Sequence, residues 1–252
     1  MILASDLHFG HMNEVAADAL YRAATRDSDR LLIIAGDLTQ NYRAAEFEAA
    51  GAFLQRVMDG GVTVVCTPGN HDYGRWKADY LGANQDARAL YREHVFAPLL
   101  RQSNVVAHDD ADVVVRSGRH VFVALRSVHA HALKPRRIAS EQLAWANGVL
   151  RTAARAGDAL HLVTHVGLWG DGEHGPQRER TRLEKRLLQP HRFASVIHGH
   201  DHAWQTGLRP TPKTKLLLRQ ISLPTLSERL RAGSPRGFAS WDGHGEPRLQ
   251  SV

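Results

Sequence analysis

The sequence predicts a layered α/β fold with extra antiparallel strands. Three observations carry that prediction: short apolar runs alternate with stretches of helical periodicity, a paired-strand texture interrupts them midway, and the C-terminus again reads as hairpins. At 252 residues the chain can bury a full core without disulfide or metal staples, and one domain over residues 1–252 is expected. Hydrophobic residues make up 43% and charged residues 23%, and no apolar run approaches about 18 residues, which excludes a disordered chain and a membrane-spanning helix.

The elements follow in order. Ile2–Ala4 reads as a short buried strand and Glu14–Thr25 as a helix. Leu31–Ala35 (LLIIA) is a second strand, and Ala44–Met58 a second helix, in which Phe47, Ala50, Phe53, Leu54 and Val57 recur at helical spacing. Val62–Cys66 (VTVVC) is a third strand. Over Asp112–Leu125 two strands join around Ser117-Gly118. Glu141–Ala154 is helical, entered through Ser140 as its N-cap, and Leu160–Thr164 and Ala194–His198 are further buried strands. Lys215–Ile221, Phe238–Trp241 and Arg248–Val252 look like hairpin strands, with loops at Pro210-Thr211-Pro212 and Gly233–Gly237.

Cys66 is the one cysteine, so a disulfide framework and a multi-cysteine zinc site are excluded, a reducing compartment is implied, and the thiol is expected to pack inside its strand. Met1 to Asp6 enters strand-like sequence at once, without room for a signal segment, and a cytoplasmic location is expected. The net charge of +6 is uneven: residues 1–126 hold 13 Lys+Arg against 16 Asp+Glu, residues 127–252 hold 19 against 10. The basic residues cluster at Arg178, Arg180, Arg182, Lys185, Arg186 and Arg192, and again from Arg209 to Arg236. Such clusters attract a polyanion such as nucleic acid, or form a solvated face in which Glu179 and Glu184 pair locally.

Chemistry-bearing residues stand just past the strands: Asp6-Leu7-His8, Gly36-Asp37, Gly69-Asn70-His71-Asp72, His165, and Gly199-His200-Asp201-His202. All five groups fall at strand carboxyl ends, where open α/β sheets bind ligands. Singly, each is turn or cap chemistry. Together they form a set of carboxylates, an amide oxygen and imidazoles that suits divalent metals better than coincidence.

The ordered set DLH, GD, GNHD, H and GHDH resembles the signature of the calcineurin-like metallophosphoesterases, over positions 6–202. The resemblance implies a β-sandwich flanked by helices and two divalent ions, Mn or Fe first and Zn, Ni or Co as alternatives. It implies one metal on Asp6, His8, Asp37 and His202 and a second on Asp37, Asn70, His165 and His200, with Asp37 bridging. His71 would stay off the metals as the acid for the leaving group, and a bridging hydroxide would attack phosphorus.

Departures from the family's branches narrow the substrate. Gln40 and Asn41 stand where the phosphoprotein-phosphatase branch has Asp and Arg, and His71 stands where the lipid-A-pathway branch has Arg. GDLTQN followed by PGNHD is most similar to bacterial class III cyclic-nucleotide phosphodiesterases. The expected activity is hydrolysis of a small phosphodiester such as a cyclic nucleotide, with a nuclease or a non-catalytic scaffold as alternatives. Arg126 replaces the Asp usual after the strand Val121–Leu125, a change at the site's rim. His11 touches substrate or caps the next helix, His129 and His131 line the pocket or sit on an irregular surface segment, and His198 points at the site without ligating. Trp169–Gly175 is read as a loop over the site. The basic half leaves nucleic acid open as a partner, no membrane contact is expected, and the chain is monomeric or pairs through its C-terminal hairpins.

Overall fold

The computed structural model describes residues 1–12, 14–26, 30–73, 84–128, 138–169, 180–228 and 235–252. Two sheets stack on each other. One has five strands in the order β12-β11-β1-β2-β3, comprising β1 (Ile2–Ala4), β2 (Leu31–Ile34), β3 (Thr63–Cys66), β11 (Gly237–Ser240) and β12 (Arg248–Ser251). The other has seven in the order β4-β5-β6-β7-β8-β10-β9. Its strands are β4 (Val105–His108), β5 (Asp112–Ser117), β6 (His120–Ala124), β7 (Ala159–Thr164), β8 (Ser195–His198), β9 (Gln205–Pro210) and β10 (Leu217–Ser222). β1, β2 and β3 pair in parallel, as do β6, β7, β8 and β10.

Side-chain alternation decides which face each residue serves. Val113, Val115, Phe122, Ala124, Val163, Ile197 and Ile221 join the core between the sheets with Leu3, Ile33 and Val65. Their neighbours Val114, Val121, Val123, Leu162, Val196 and Leu218 face the other way. There they meet helix α5 (Ser140–Ala153) and helix α6, which starts at Arg180–Leu183, passes through a π-helical turn at Glu184–Leu188 and ends in Gln189–His191. Helices α1 (Glu14–Arg26) and α2 (Ala44–Asp59) cover the outer face of the five-stranded sheet, whose strands β1 and β2 are consequently apolar throughout. Cys66 is buried in β3 as expected, and burial pushes its thiol pKa up.

Five elements are absent from the sequence reading: α6, a short helix at Asn70–Tyr73, helix α4 (residues 84–99), and the strands β4 and β9. Helix α4 opens at Asn84–Tyr91, passes through a π-helical stretch at Arg92–Phe96 and closes at Ala97–Leu99. β4 and β9 are sheet edges, and β9 carries Gly207 and ends in Pro210, so neither shows a buried strand's pattern. β10 is half a hairpin: it pairs antiparallel with β9 and parallel with β8. Two expectations are corrected. The N-cap of α5 is Ala139, whose N–H donates to Gln142 Oε1 (2.7 Å), while the Ser140 hydroxyl accepts from Arg182 (2.9 Å). Glu184 is buried and does not pair with its basic neighbours; its Oε2 accepts the Lys213 and Thr214 N–H groups (2.8 and 2.9 Å) and anchors that turn. Arg178, Glu179, Arg229, Arg231, Gly233, His129, His131 and residues 170–175 lie outside the described residues. Among the described residues, no helix is long and apolar enough to cross a membrane.

Between the sheets, away from the strand carboxyl ends, His161 is fully buried against Phe122 and Trp241. Its ring nitrogens lie 2.8 Å from Ser195 Oγ and 2.9 Å from His120 Nδ1. Burial, aided by His120 and His244, pushes its pKa down to about 3 from an ordinary 6.5. The unfolded chain therefore binds a proton that the native chain refuses as pH falls from 6.5 toward 3, and native stability drops across that window. His161→Gln removes this penalty. Its stability deficit relative to wild type, read from denaturant midpoints, is expected to narrow by about 1.4 kcal/mol per pH unit below 6.5.

Candidate metal centre

Both sheets point their parallel-strand carboxyl ends at one place. Asp6 and His8 follow β1, Asp37 follows β2, and helix α3 (Asn70–Tyr73) follows β3. His165 follows β7, and His200 and His202 follow β8. The backbone there is held in a conformation side chains disfavour: Asp6, His8, Asp37, His200 and His202 have φ of 52°, 51°, 53°, 74° and 54°. Such left-handed turns cost free energy and persist where surrounding bonds impose them. The Asp6 carbonyl is gripped by Thr225 Oγ1 (2.7 Å) and the Leu226 N–H (3.1 Å), and Asp6 N–H donates to Gly36 O (2.9 Å). Close approach also demands glycine. A Cβ on Gly69 would overlap Asp37, and one on Gly199 would overlap Ser5 and Asp6.

The ligating atoms gather in three overlapping groups: Asp6, His8 and His202; His8, Asp37 and His71; and Asp37, His165 and His200, each within 4.8 Å. Asp6 Oδ1 lies 3.1 Å from His202 Nε2 and 3.8 Å from His8 Nε2, and those two nitrogens are 3.4 Å apart. His165 Nε2 lies 3.2 Å from Asp37 Oδ2, 3.1 Å from Asn70 Oδ1 and 3.1 Å from His200 Nδ1. His71 donates its N–H to Asp37 Oδ1 (2.8 Å), and its Nδ1 lies 2.6 Å from Gln40 O. Every residue singled out from the sequence for the two metal sets is thus present in one cluster, with Asp37 between the Asp6 and His165 groups.

The donor chemistry fits divalent cations. His165 Nδ1 is 2.9 Å from Ala35 O, so it carries a hydrogen, and Nε2 faces two oxygen acceptors with its lone pair. Only a proton or a metal ion reconciles those three atoms. Burial opposes a charged His165, yet Asp37 and Asp6 overcome that and hold its pKa up at about 9. Burial likewise penalises the Asp6 and Asp37 carboxylates, and the facing imidazoles, His202 first for Asp6 and His165 first for Asp37, hold both below the ordinary range. A cation held by these residues would replace the proton and satisfy the same oxygens.

Two positioning residues, Asp72 and Ser127, received no role in the sequence reading. Asp72 is buried and accepts from Leu38 N (3.1 Å), Thr39 N (2.8 Å), Thr39 Oγ1 (3.1 Å) and Gly69 N (2.8 Å), which clasps the Asp37 loop to the Asn70 loop. Burial and the nearby Asp37 push its pKa up to about 6. Ser127 Oγ accepts the N–H groups of His165 (3.1 Å) and Val166 (3.0 Å). The fourth position of GNHD would have flagged Asp72; the backbone contacts of Ser127 have no sequence signature.

The remaining singled-out residues divide. His198 is buried and turned to Gln220, with Nε2 2.9 Å from the amide nitrogen and Nδ1 3.2 Å from Gly199 O. His11 lies in the turn after His8, its N–H on His8 O (2.8 Å) and its carbonyl taking Glu228 N–H (2.9 Å). Arg126 is turned to Asp110 (3.3 Å) and the Tyr73 ring (5.6 Å). Trp169 donates to Pro210 O (3.2 Å).

The family model for calcineurin-like phosphoesterases matches residues 1–204. Among solved structures, a purple acid phosphatase from yellow lupin (Lupinus luteus) seeds is similar at TM-score 0.66 and 13% identity, covering 94% of this chain and 48% of its own. The chain therefore spans about half the length of the lupin protein. A dimetal phosphatase from Danio rerio gives TM-score 0.55 at 12% identity, covering 94% of this chain and 90% of its own. GAP50, described as the anchor in the inner membrane complex of Plasmodium, gives 0.51 at 12% identity, covering 95% and 79%. No match is found among curated proteins.

Proposed function

The chain belongs to the calcineurin-like phosphoesterase family, and from that premise we propose that it is a dimetal phosphodiesterase acting on a small phosphodiester such as a cyclic nucleotide. One metal would be held by Asp6, His8, Asp37 and His202 and the other by Asp37, Asn70, His165 and His200. Two divalent ions, Mn or Fe by resemblance, supply Lewis-acid charge for a phosphoryl group and make water a better nucleophile when bound there.

The chain's own groups do the rest. Gln40 O fixes the His71 ring through Nδ1, which leaves Nε2 to deliver a proton to the departing oxygen. Asp72 and Ser127 keep the loops bearing Asp37, Asn70 and His165 in register, so no reorganisation is needed at reaction. The observation that favours a diester is the loop after β2. The loop between β2 and α2 carries one basic residue, Arg43, exposed at the N-cap of α2, and Asn41 donates its N–H to Glu46 Oε2 (2.7 Å). A phosphomonoester dianion finds no guanidinium at position 41, where the phosphoprotein-phosphatase branch places one, whereas a diester carries one charge fewer.

The test is hydrolysis of a chromogenic diester and the matching monoester by protein supplied with Mn²⁺. The diester is expected to have the higher kcat/KM, and preference for the monoester contradicts the reading. A panel of cyclic nucleotides and oligonucleotides then names the substrate. A rate on oligonucleotides that falls steeply with salt would favour nucleic acid and the basic C-terminal half. A fully metal-loaded protein with no turnover on any ester would favour a scaffold; one similar structure, from Plasmodium, is described as an anchor.

A further inference from the structure

A second gathering of ligating groups lies at the β4–β5 turn and shares no residue with the centre above. His108 ends β4 and Asp112 opens β5, and the two are direct cross-strand partners, so their side chains stand on one face of the hairpin. Asp109 between them is held at φ 52°. His108, Asp109 and Asp112 each bring one ligating atom within 4.8 Å of the others.

Asp112 supplies the independent sign of a missing ligand. It is fully buried; Oδ1 accepts from Arg126 N–H (2.7 Å) and Gln142 Nε2 (2.9 Å), but Oδ2 has no hydrogen-bond partner. Leaving a buried carboxylate oxygen unpaired is costly, and burial accordingly pushes this carboxyl up to about 6. The neighbouring Arg126 guanidinium pairs with Asp110 at 3.3 Å and reaches Asp109 at 4.0 Å, while Asp112 Oδ2 takes no hydrogen bond from it. The His108 ring is already fixed, stacked on Trp145 at 5.1 Å and 15°.

We propose that His108, Asp109 and Asp112 bind one divalent transition-metal ion that pins the β4–β5 hairpin. One imidazole and two carboxylates, with His108 and Asp109 partly open to water, suit Zn²⁺ completed by solvent.

The test counts metal. Mn²⁺-loaded wild type, His108→Ala and Asp109→Gly are dialysed to equilibrium against micromolar Zn²⁺, and total metal per chain is measured. Asp109→Gly removes a carboxylate at a φ glycine adopts freely, so the fold is kept. Each variant is expected to hold one metal equivalent fewer than wild type, with diester hydrolysis unchanged. The readout is a difference between chains with the same principal centre, so it holds whatever that centre contains. Retention of the wild-type count by either variant overturns the proposal.

Discussion

Asp37→Asn is expected to lower metal-activated diester hydrolysis by on the order of 10³-fold. Asp37 is the carboxylate common to both proposed ligand sets: Oδ2 lies 3.2 Å from His165 Nε2, and it shares a 4.8 Å cluster with His8 and His71. An amide keeps the shape but removes the negative charge that two cations would share. It also weakens the acceptor for the His71 N–H, now 2.8 Å from Asp37 Oδ1. The loss should appear in kcat at saturating Mn²⁺, with circular dichroism unchanged. Full activity in this variant would remove the bridging role.

His71→Ala is expected to cost about 10²–10⁴-fold in kcat, the range for a positioned general acid. The size should depend on the leaving group. A nitrophenolate departs without a proton, so the variant should lose little on a chromogenic diester and most on an alkyl or nucleoside diester. Metal content should equal that of wild type, since His71 belongs to neither proposed ligand set. An equal loss on both substrates would mean that His71 positions substrate and donates no proton. Gln40 would let His71 serve as the proposed acid without the aspartate of a related branch: its main-chain carbonyl, 2.6 Å from Nδ1, stands in for the carboxylate.

The clustering of the proposed ligands was legible because their placement repeats one structural rule. Asp6, Asp37, Asn70, His165 and His200 each follow a strand of parallel pairing, and a strand's end can be read from its apolar run. The two sheets and their flanking helices follow from the same runs. What escaped depends on contacts between distant segments. Asp72 earns its place through N–H groups at residues 38, 39 and 69, Ser127 through those of 165 and 166, and Thr225 through the carbonyl of Asp6. Glu184 sits in a run of arginines and lysines that reads as a solvated face, yet it is buried because the Lys213–Thr214 turn, far along the chain, presents two N–H groups to it. Composition misleads in a similar way for histidine. Of 16, four are proposed ligands and one the proposed acid, while His161 and His198 are buried in hydrogen-bonded positions of their own.

The central claim is that two cations share Asp37. Electron paramagnetic resonance of the Mn²⁺-loaded protein tests it most directly, because ions about 3.5–4 Å apart across a common carboxylate couple their spins, and isolated ions do not. Wild type is expected to show the signal of a coupled pair, and Asp37→Asn that of separate ions with reduced occupancy. Only isolated-ion signals in fully loaded wild type would contradict a shared centre.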